Sequence, residues 1–396
     1  MSNRQKITSG LLTMAVILLL SPSVYGQSSA AERQAFWDGI HTPTYLRTDI
    51  AHTPIKSQRG GTCWNFATIS FLESEIYRTN EAVVNDLRVN RQSLNLSEYY
   101  VVYWAWVEKA RELVRVKGEG KVLETSRGTA VSLHDGGLSH DTISFIQKYG
   151  IVPESEFTQP ENSGMMTRAL QAVMVQAYED GNWNERQVIQ QIREVLDEHL
   201  MAPPQSFEWN GQTYTPRQWA DDYLKFDYDN YWEITSYTDF PFYTQGELDL
   251  PDNWWDCDTY YNVPLDAYIR IMNRALDRGF SVAVDTDWGD IGGDWNGAGA
   301  AVMHPEMLSP MLVSQQTRQS DFEDGRTQDD HLVHAVDHRV VDGWDWYLIK
   351  NSHGTATGRQ GYVWMRSDWV AMRVLAIMVH KDAIDPGLVA KFQPPN

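Results

Sequence analysis

The chain has 396 residues, with 33 Lys and Arg against 53 Asp and Glu and a formal net charge of −20. A hydrophobic content of 42% excludes general disorder, and the length suffices for a large core divided into two domains or lobes. So acidic a surface repels phosphate backbones and anionic lipids, so we expect neither nucleic acid nor a membrane surface as a partner. Two cysteines, Cys63 and Cys257, cannot form a disulfide framework.

The N-terminal segment is typical of a secretory signal peptide. Arg4 and Lys6 precede an apolar run, Leu11 to Leu20, and small residues follow near Gly26. This run is well short of the roughly 20 residues that span a bilayer. We therefore expect residues 1–26 to be removed and the mature protein to be exported without membrane insertion.

Helical spacing of apolar residues is clearest after Cys63. Phe66, Ile69, Leu72 and Ile76 share one face of a helix predicted over Cys63–Thr79, with Thr62 as its cap. Similar patterns predict further helices over Leu96–Val114, over Ser139–Tyr149, around Val188–His199 and after Pro264.

The second half of the chain is richer in strand patterns. Asn210-Gly211 predicts a hairpin over Phe207–Tyr214. The aromatic run from Phe226 to Tyr261 suits either the packing of an inserted subdomain or a sugar-binding surface. Strands are predicted over Phe280–Asp285, Leu332–Val341, Trp346–Lys350, Gly361–Met365 and Val374–His380. The order of elements indicates an α+β fold.

Cys63 is placed where a thiol can act as a nucleophile. The start of a helix favours an anion, so we expect an accessible thiolate, and the two glycines before Thr62 allow a substrate carbonyl to approach closely. Gln58 lies five residues upstream, within reach of the site. The competing interpretation is that Cys63 is only a small buried hydrophobic residue.

A nucleophile needs a base and a group that orients the base. His331, His334 and His338 lie in one predicted strand, where alternation places His334 and His338 on one face and His331 on the other. That separation argues against a metal site, and we expect no metal or organic cofactor. Asn351 follows the next strand and can accept an imidazole N–H.

Three motifs resemble the papain-like cysteine peptidases: Gln-x₄-Cys-Trp-x-Phe, Leu-Val-His-Ala-Val and Lys-Asn-Ser-x-Gly, in that order. Leu96-Ser97-Glu98 and Asp135-Gly136-Gly137 also resemble segments of that family. The likeness is greatest to the bleomycin hydrolase and aminopeptidase C branch, and it extends from about Pro54 to His380.

The resemblance implies a two-lobed fold, with a helical lobe, a β-barrel-like lobe and the cleft between them. The peptidase domain would span 27–385, with an inserted segment near 155–262 and a C-terminal tail over 386–396. In the branch, the C-terminus reaches into the cleft and imposes aminopeptidase action.

The resemblance also implies the roles of the site residues. Cys63 would attack a peptide carbonyl, His334 would be the base, Asn351 would orient His334, and Gln58 with the Cys63 N–H would stabilise the oxyanion. The substrate-binding residues would be Gly136, Gly137 and Trp64.

Two differences from the family keep other functions open. Gln58 is one residue closer to the cysteine than in the family, and His353 stands where the family has Trp. The expected partner is a peptide substrate for an aminopeptidase. The alternatives are an endopeptidase with an open cleft and a catalytically weak homologue that binds peptides or glycans. A homo-oligomer is also left open.

Overall fold

The computed structural model describes residues 29–118, 133–158, 160, 162–290, 292–307 and 312–392. The predicted signal peptide and the last four residues of the predicted tail lie outside these ranges. The chain divides into a unit that ends at Ile40, with helix α1 in its described part, and a unit that begins at His41. None of the described helices is long and apolar enough to cross a bilayer.

All five predicted helices are present in the described chain, and the bounds predicted for the cysteine helix and for the helix over 139–149 are confirmed. The other helices, among them those over 81–90 and 163–179, are not predicted from the sequence. The helices are α1 Ala30–Asp38, α2 Cys63–Thr79, α3 Glu81–Asn90, α4 Glu98–Gly118, α5 Ser139–Tyr149, α6 Ser163–Glu179, α7 Glu185–His199, α8 Pro216–Gln218, α9 Leu265–Asp277, α10 Gln315–Glu323, α11 Ser367–Arg373 and α12 Pro386–Val389. Helix α4 begins two residues later than predicted because the Ser97 hydroxyl caps it by accepting from the Tyr100 amide.

The strands form one hairpin and one large mixed sheet. They are β1 Phe207–Trp209, β2 Gln212–Tyr214, β3 Tyr231–Thr235, β4 Gln245–Gly246, β5 Tyr260–Asn262, β6 Val282–Thr286, β7 Gly293–Asp294, β8 Ala300–Ala301, β9 His331–Val341, β10 Trp344–Lys350, β11 Tyr362–Arg366 and β12 Val374–His380. β1 and β2 form the predicted hairpin, with positive φ at both Asn210 and Gly211. The sheet has ten strands in the order β4-β5-β3-β12-β6-β9-β10-β11-β8-β7. The predicted α+β, papain-like fold class is confirmed.

Alternate residues of the central strands point to opposite faces of the sheet and pack into two different hydrophobic cores. Ala283, Leu332 and Met378 pack with α2 and the other helices of the first half. Their neighbours along the strands, such as Val284 and Val333, pack against the core that includes α9. The sheet therefore separates a helical lobe from a β-rich lobe, and the ends of β6 and β9 lie where the two lobes meet.

A bulge in β9 changes which histidines share a face. Ala335 pairs with Ile349 but Asp337 pairs with Leu348, so Val336 is an extra residue in the strand. His338 consequently contacts Asp277 of α9, on the opposite side of the sheet from His334. The prediction that His334 and His338 lie on one face is therefore wrong, because it assumed uninterrupted alternation.

The aromatic run of the middle segment is packed within the fold. β3 and β5 from this run join the large sheet, and Trp232 stacks on Tyr261 with ring centroids 4.0 Å apart. Phe392 lies against both rings. These contacts favour packing over a sugar-binding surface.

Candidate active site

The cleft centres on the first turn of α2, where Cys63 is the first helical residue. The Thr62 side chain makes no capping hydrogen bond to the helix; its hydroxyl donates to the Arg59 carbonyl at 3.4 Å. The predicted capping by Thr62 is therefore wrong: the Asn65 amide donates to the Thr62 carbonyl, and the start of the helix still favours an anion near Cys63. Cys63 is half-buried as a residue and lines the cleft, where a substrate would meet it.

The loop before Cys63 is fixed to the loop over 133–137. The Gly136 amide donates to the Gly61 carbonyl and the Gly61 amide donates to Asp135, both at 3.1 Å. A Cβ on Gly61 would lie 2.7 Å from the Asp135 Cβ, so only glycine allows the two loops to approach this closely. From below, the buried Lys109 ammonium donates to the Gly136 carbonyl at 2.6 Å.

A cavity of about 360 Å³ opens between these loops and the start of β9. Its lining includes Cys63, both predicted cleft glycines and four carboxylates: Gly61, Cys63, His134, Asp135, Gly136, Gly137, Asp252, Asp329, Asp330 and Leu332. The structure thus brings Cys63, Gly136 and Gly137 into one site.

Trp64 supports the cleft from beneath. Its side chain is only 2% exposed, and a Cβ on Gly137 would lie 2.9 Å from the indole ring. The prediction that Trp64 contacts a substrate directly is therefore wrong. The ring packs against Gly137 and fixes the position of the Gly137 backbone.

Asn351 pairs with His331. The His331 Nε2 and the Asn351 Oδ1 are 2.8 Å apart, and His331 begins β9 directly after the cleft residues Asp329 and Asp330. The Leu332 backbone amide, next in the chain, hydrogen-bonds the Cys63 sulfur. Of the three histidines of β9, His331 is therefore the one that lies between the cleft residues Asp330 and Leu332.

The predicted pairing of His334 with Asn351 is wrong. His334 has no exposed surface, and its Nδ1 lies 2.8 Å from the Ser70 hydroxyl, two turns along α2 from Cys63. Burial, with the nearby Lys350 ammonium, holds the pKa of His334 well below its usual value. His334 is a neutral group of the interface between the lobes.

Two aromatic rings, those of His353 and Trp288, enclose His331 where the family has a tryptophan at position 353. The His353 ring stacks on His331 with centroids 4.6 Å apart, and Trp288 meets His331 edge to face at 4.7 Å. The Asn351 Nδ2 also donates to the His353 Nδ1 at 3.1 Å. The pair His331–Asn351 is therefore enclosed by two rings, one of which fixes the asparagine as well.

Gln58 lies at the edge of the site. Its side-chain amide donates to the Gly60 carbonyl at 2.9 Å, and its oxygen accepts from the Ser352 hydroxyl at 2.5 Å. The Gln58 backbone amide also donates to the Ser352 carbonyl. In this arrangement Gln58 joins the loop before the cysteine to the segment that carries Asn351.

The charges around Cys63 oppose the expected thiolate. Burial raises the pKa of the Cys63 thiol to about 12, and Asp329 and Asp252 act in the same direction, although the Leu332 and Trp64 amides oppose them. Burial lowers the pKa of His331 to about 3. Desolvation and the acidic cleft thus act against the thiolate that the helix terminus favours, and the thiolate of the resting site stays a prediction.

The second cysteine, Cys257, lies near a histidine, His140, and the sequence does not indicate this neighbour. Both cysteines are free. The Cys257 sulfur lies 3.2 Å from the Thr259 hydroxyl, and the nearby His140 Nδ1 lies 2.7 Å from the Glu233 carboxylate. Although burial acts to lower it, the charges of Glu233 and Asp141 hold the pKa of His140 well above its usual value. Cys257 lies outside the lining of the Cys63 cleft.

The fold and the cleft together define a papain-like cysteine peptidase. Residues 27–395 match the Peptidase C1-like family, so the chain belongs to that family. It is 20% identical to aminopeptidase C of Lactococcus lactis subsp. cremoris, covering 87% of this chain and 84% of the relative. It is 22% identical to aminopeptidase C of Listeria monocytogenes, with coverages of 85% and 81%.

A solved structure has the same fold. PepW from Lactobacillus rhamnosis HN001 superposes with a TM-score of 0.69 at 19% identity, over 88% of this chain and 84% of that chain. The predicted relationship to the aminopeptidase C branch of the papain-like peptidases is thus confirmed.

Proposed function

We propose that this protein is an exported aminopeptidase that removes N-terminal residues from peptides through Cys63, His331 and Asn351. The observation that carries the proposal is the His331–Asn351 hydrogen bond at the start of β9, beside the cleft into which Cys63 opens. The names of the relatives support the choice of aminopeptidase over endopeptidase.

The reaction begins from a neutral thiol and a neutral imidazole. The ring nitrogen of His331 that Asn351 leaves free takes the thiol proton as the Cys63 sulfur attacks the carbonyl carbon of the first peptide bond. The Cys63 amide, uncapped at the helix terminus, stabilises the oxyanion. The tetrahedral intermediate expels the amine, which receives the proton from His331, and water then hydrolyses the thioester.

Export is proposed from the leader. Arg4 and Lys6 before an apolar run are the sequence support, and the family match begins at residue 27, directly after the proposed cleavage site. Cell fractionation with N-terminal sequencing tests this part. A protein that keeps Arg4 and Lys6 and stays inside the cell would contradict it.

The catalytic proposal is tested with leucine p-nitroanilide and its N-acetylated form. Cys63→Ser should abolish hydrolysis, whereas the matched change Cys257→Ser should leave kcat/KM within about twofold. Loss of activity only in the Cys257 variant would contradict the choice of nucleophile. Preferential hydrolysis of the acetylated substrate would instead indicate an endopeptidase.

A further inference from the structure

We propose that the Asp252 carboxylate binds the α-ammonium group of the substrate's first residue. This inference rests on the proposed aminopeptidase function, and it assigns the specificity for a free amino terminus to a side chain of the segment between β4 and β5.

Asp252 is buried, and one of its two carboxylate oxygens accepts no hydrogen bond from a described residue. Its side chain lines the Cys63 cavity although the residue is only 6% exposed. Oδ2 accepts the Gly137 amide at 3.2 Å, whereas Oδ1 has no hydrogen bond to any described residue. His134 Nδ1 lies 3.9 Å from Oδ1, beyond hydrogen-bond distance, and contacts the Asp135 carbonyl at 2.7 Å.

An unpaired buried carboxylate oxygen costs free energy, which a ligand cation can remove. Asp135, Asp329 and Asp330 share the cavity with Asp252, and the Lys109 ammonium beneath Gly136 compensates only part of this negative charge, so the cleft attracts a cation. Asp135 accepts the Gly61 amide and Asp330 accepts the Trp288 amide, whereas Asp252 Oδ1 is a buried oxygen without a hydrogen bond from the described residues, on a side chain that lies against the cleft glycines. We therefore assign the ammonium group to Asp252.

The same contact limits how far a peptide can extend. A longer substrate would use the backbone of the cleft glycines in an extended pairing. Asp252 already accepts the Gly137 amide, and a Cβ on Gly136 would lie 2.2 Å from Asp252 Oδ2, so the carboxylate lies directly against this backbone. Asp252 therefore both blocks the path of a longer chain and offers a charge to a chain that ends there.

The described C-terminal residues lie elsewhere. Up to Phe392 the chain packs with Trp232 and Tyr261 against the core that includes α9, on the face of the sheet away from α2. Among the described residues, the amine acceptor therefore comes from the cleft wall itself.

Binding of the amine would also prepare the nucleophile. Asp252 and Asp329 both raise the pKa of the Cys63 thiol, in addition to its burial. An ammonium group held by Asp252 opposes their field and so favours transfer of the thiol proton to His331. A free amino terminus would thus contribute to the rate as well as to binding.

The test compares the full-length mature enzyme with Asp252→Asn on leucine p-nitroanilide and N-acetyl-leucine p-nitroanilide. Loss of a charge-assisted hydrogen bond should lower kcat/KM for the free amine about tenfold to a hundredfold, chiefly through KM. For the acetylated substrate kcat/KM should not fall, because removal of the Asp252 charge also lowers the pKa of the Cys63 thiol. Asp256→Asn makes the same charge change at an exposed position of this segment and should leave both values unchanged. Asp252→Glu restores the charge and should recover part of the selectivity.

The outcomes separate this inference from the function on which it rests. If the wild type prefers the free amine but Asp252→Asn keeps that preference, the anchor lies elsewhere and only this inference fails. If the wild type shows no preference, the aminopeptidase function fails and the anchor with it. A second readout is alkylation of Cys63 by iodoacetamide in the absence of substrate: Asp252→Asn should shift its pH profile to lower pH. An unshifted profile, with both substrates impaired equally, would reduce Asp252 to a structural role and overturn the inference.

Discussion

His334 and Lys350 lie directly opposite each other across the strand pair β9–β10, and both contact the Ser70 hydroxyl of α2. Asn351 follows Lys350, so its side chain leaves the sheet on the other side. His331, the first residue of β9, lies on the same side of the sheet as the Asn351 side chain. This placement explains why Asn351 hydrogen-bonds His331 and not His334.

The first prediction separates the two histidines. His331→Gln retains a nitrogen for Asn351 but removes the base, so kcat should fall by at least a hundredfold with little change in the melting temperature. His334→Asn retains a contact with Ser70, so kcat should change little, although a change in the core is expected to lower the melting temperature.

Steady-state kinetics with thermal unfolding of both variants checks this assignment. If the His334→Asn protein were folded but inactive and the His331→Gln protein were active, His334 would be the base and this assignment would be wrong. The comparison is informative because both substitutions replace an imidazole by an amide.

The second prediction concerns the resting thiol. Burial with Asp329 and Asp252 raises the pKa of Cys63, and burial lowers the pKa of His331, so we expect both groups to be neutral at pH 6 to 8. Alkylation of Cys63 should therefore be slow at pH 6 and accelerate as the solution becomes alkaline. The Cys257→Ser background isolates the signal, and mass spectrometry locates the adduct. Fast alkylation that is flat between pH 5 and 8 would indicate a thiolate–imidazolium pair instead.

Local patterns predicted much of the fold. The apolar spacing after Cys63 predicts α2, and the structure buries this helix on all sides from Trp64 to Ile76. The unpredicted α3 is capped by Asn80 and buries only Val83 and Leu87, a pattern too sparse to distinguish from a loop. Boundaries that depend on a side-chain cap, as at Ser97, were displaced by two residues.

The site was predicted only as far as local sequence determines it. Cys63, Asn351 and the cleft glycines carry local signatures, whereas the choice among three histidines depends on strand register and on the Val336 bulge. Asp252 has no local signature, since its place in the cleft arises from the packing of a distant segment under Gly136 and Gly137. The adjacent acidic residues before His331 were the signal that a cleft wall begins there.

The third prediction concerns His353. Its ring stacks on His331, and its Nδ1 accepts from Asn351. His353→Ala should release Asn351 and lower kcat about tenfold with KM nearly unchanged, because the base is less well oriented. His353→Asn keeps an acceptor for Asn351 but removes the stacked ring, so its kcat should lie between those of the wild type and His353→Ala. Equal activity of all three proteins would show that Trp288 alone encloses the pair.

The fourth prediction concerns Gly137. Its φ is +148°, and an added Cβ would lie 2.9 Å from the Trp64 ring. Gly137→Ala should therefore raise the cleft backbone and lower kcat/KM by more than tenfold, because small displacements at a site are costly. Gly279→Ala also has positive φ but meets no atom within 4 Å, so it should lower stability by about 1 kcal/mol and spare activity. Equal activity of the two variants would contradict the role given to the Gly137 backbone.

The fifth prediction concerns stability and pH at Glu154. Burial raises the pKa of this carboxyl to about 8, with repulsion from Glu98 and Glu73 acting the same way and the Lys56 ammonium opposing it. The folded protein therefore binds a proton that the unfolded chain releases above about pH 4.5, so this group makes stability fall as the pH rises from about 4.5 to 8. Glu154→Gln removes the ionisation and should raise the melting temperature at pH 8 more than at pH 5. Glu156→Gln, two residues away, serves as the control. A gain of equal size at both pH values would contradict a raised pKa for Glu154.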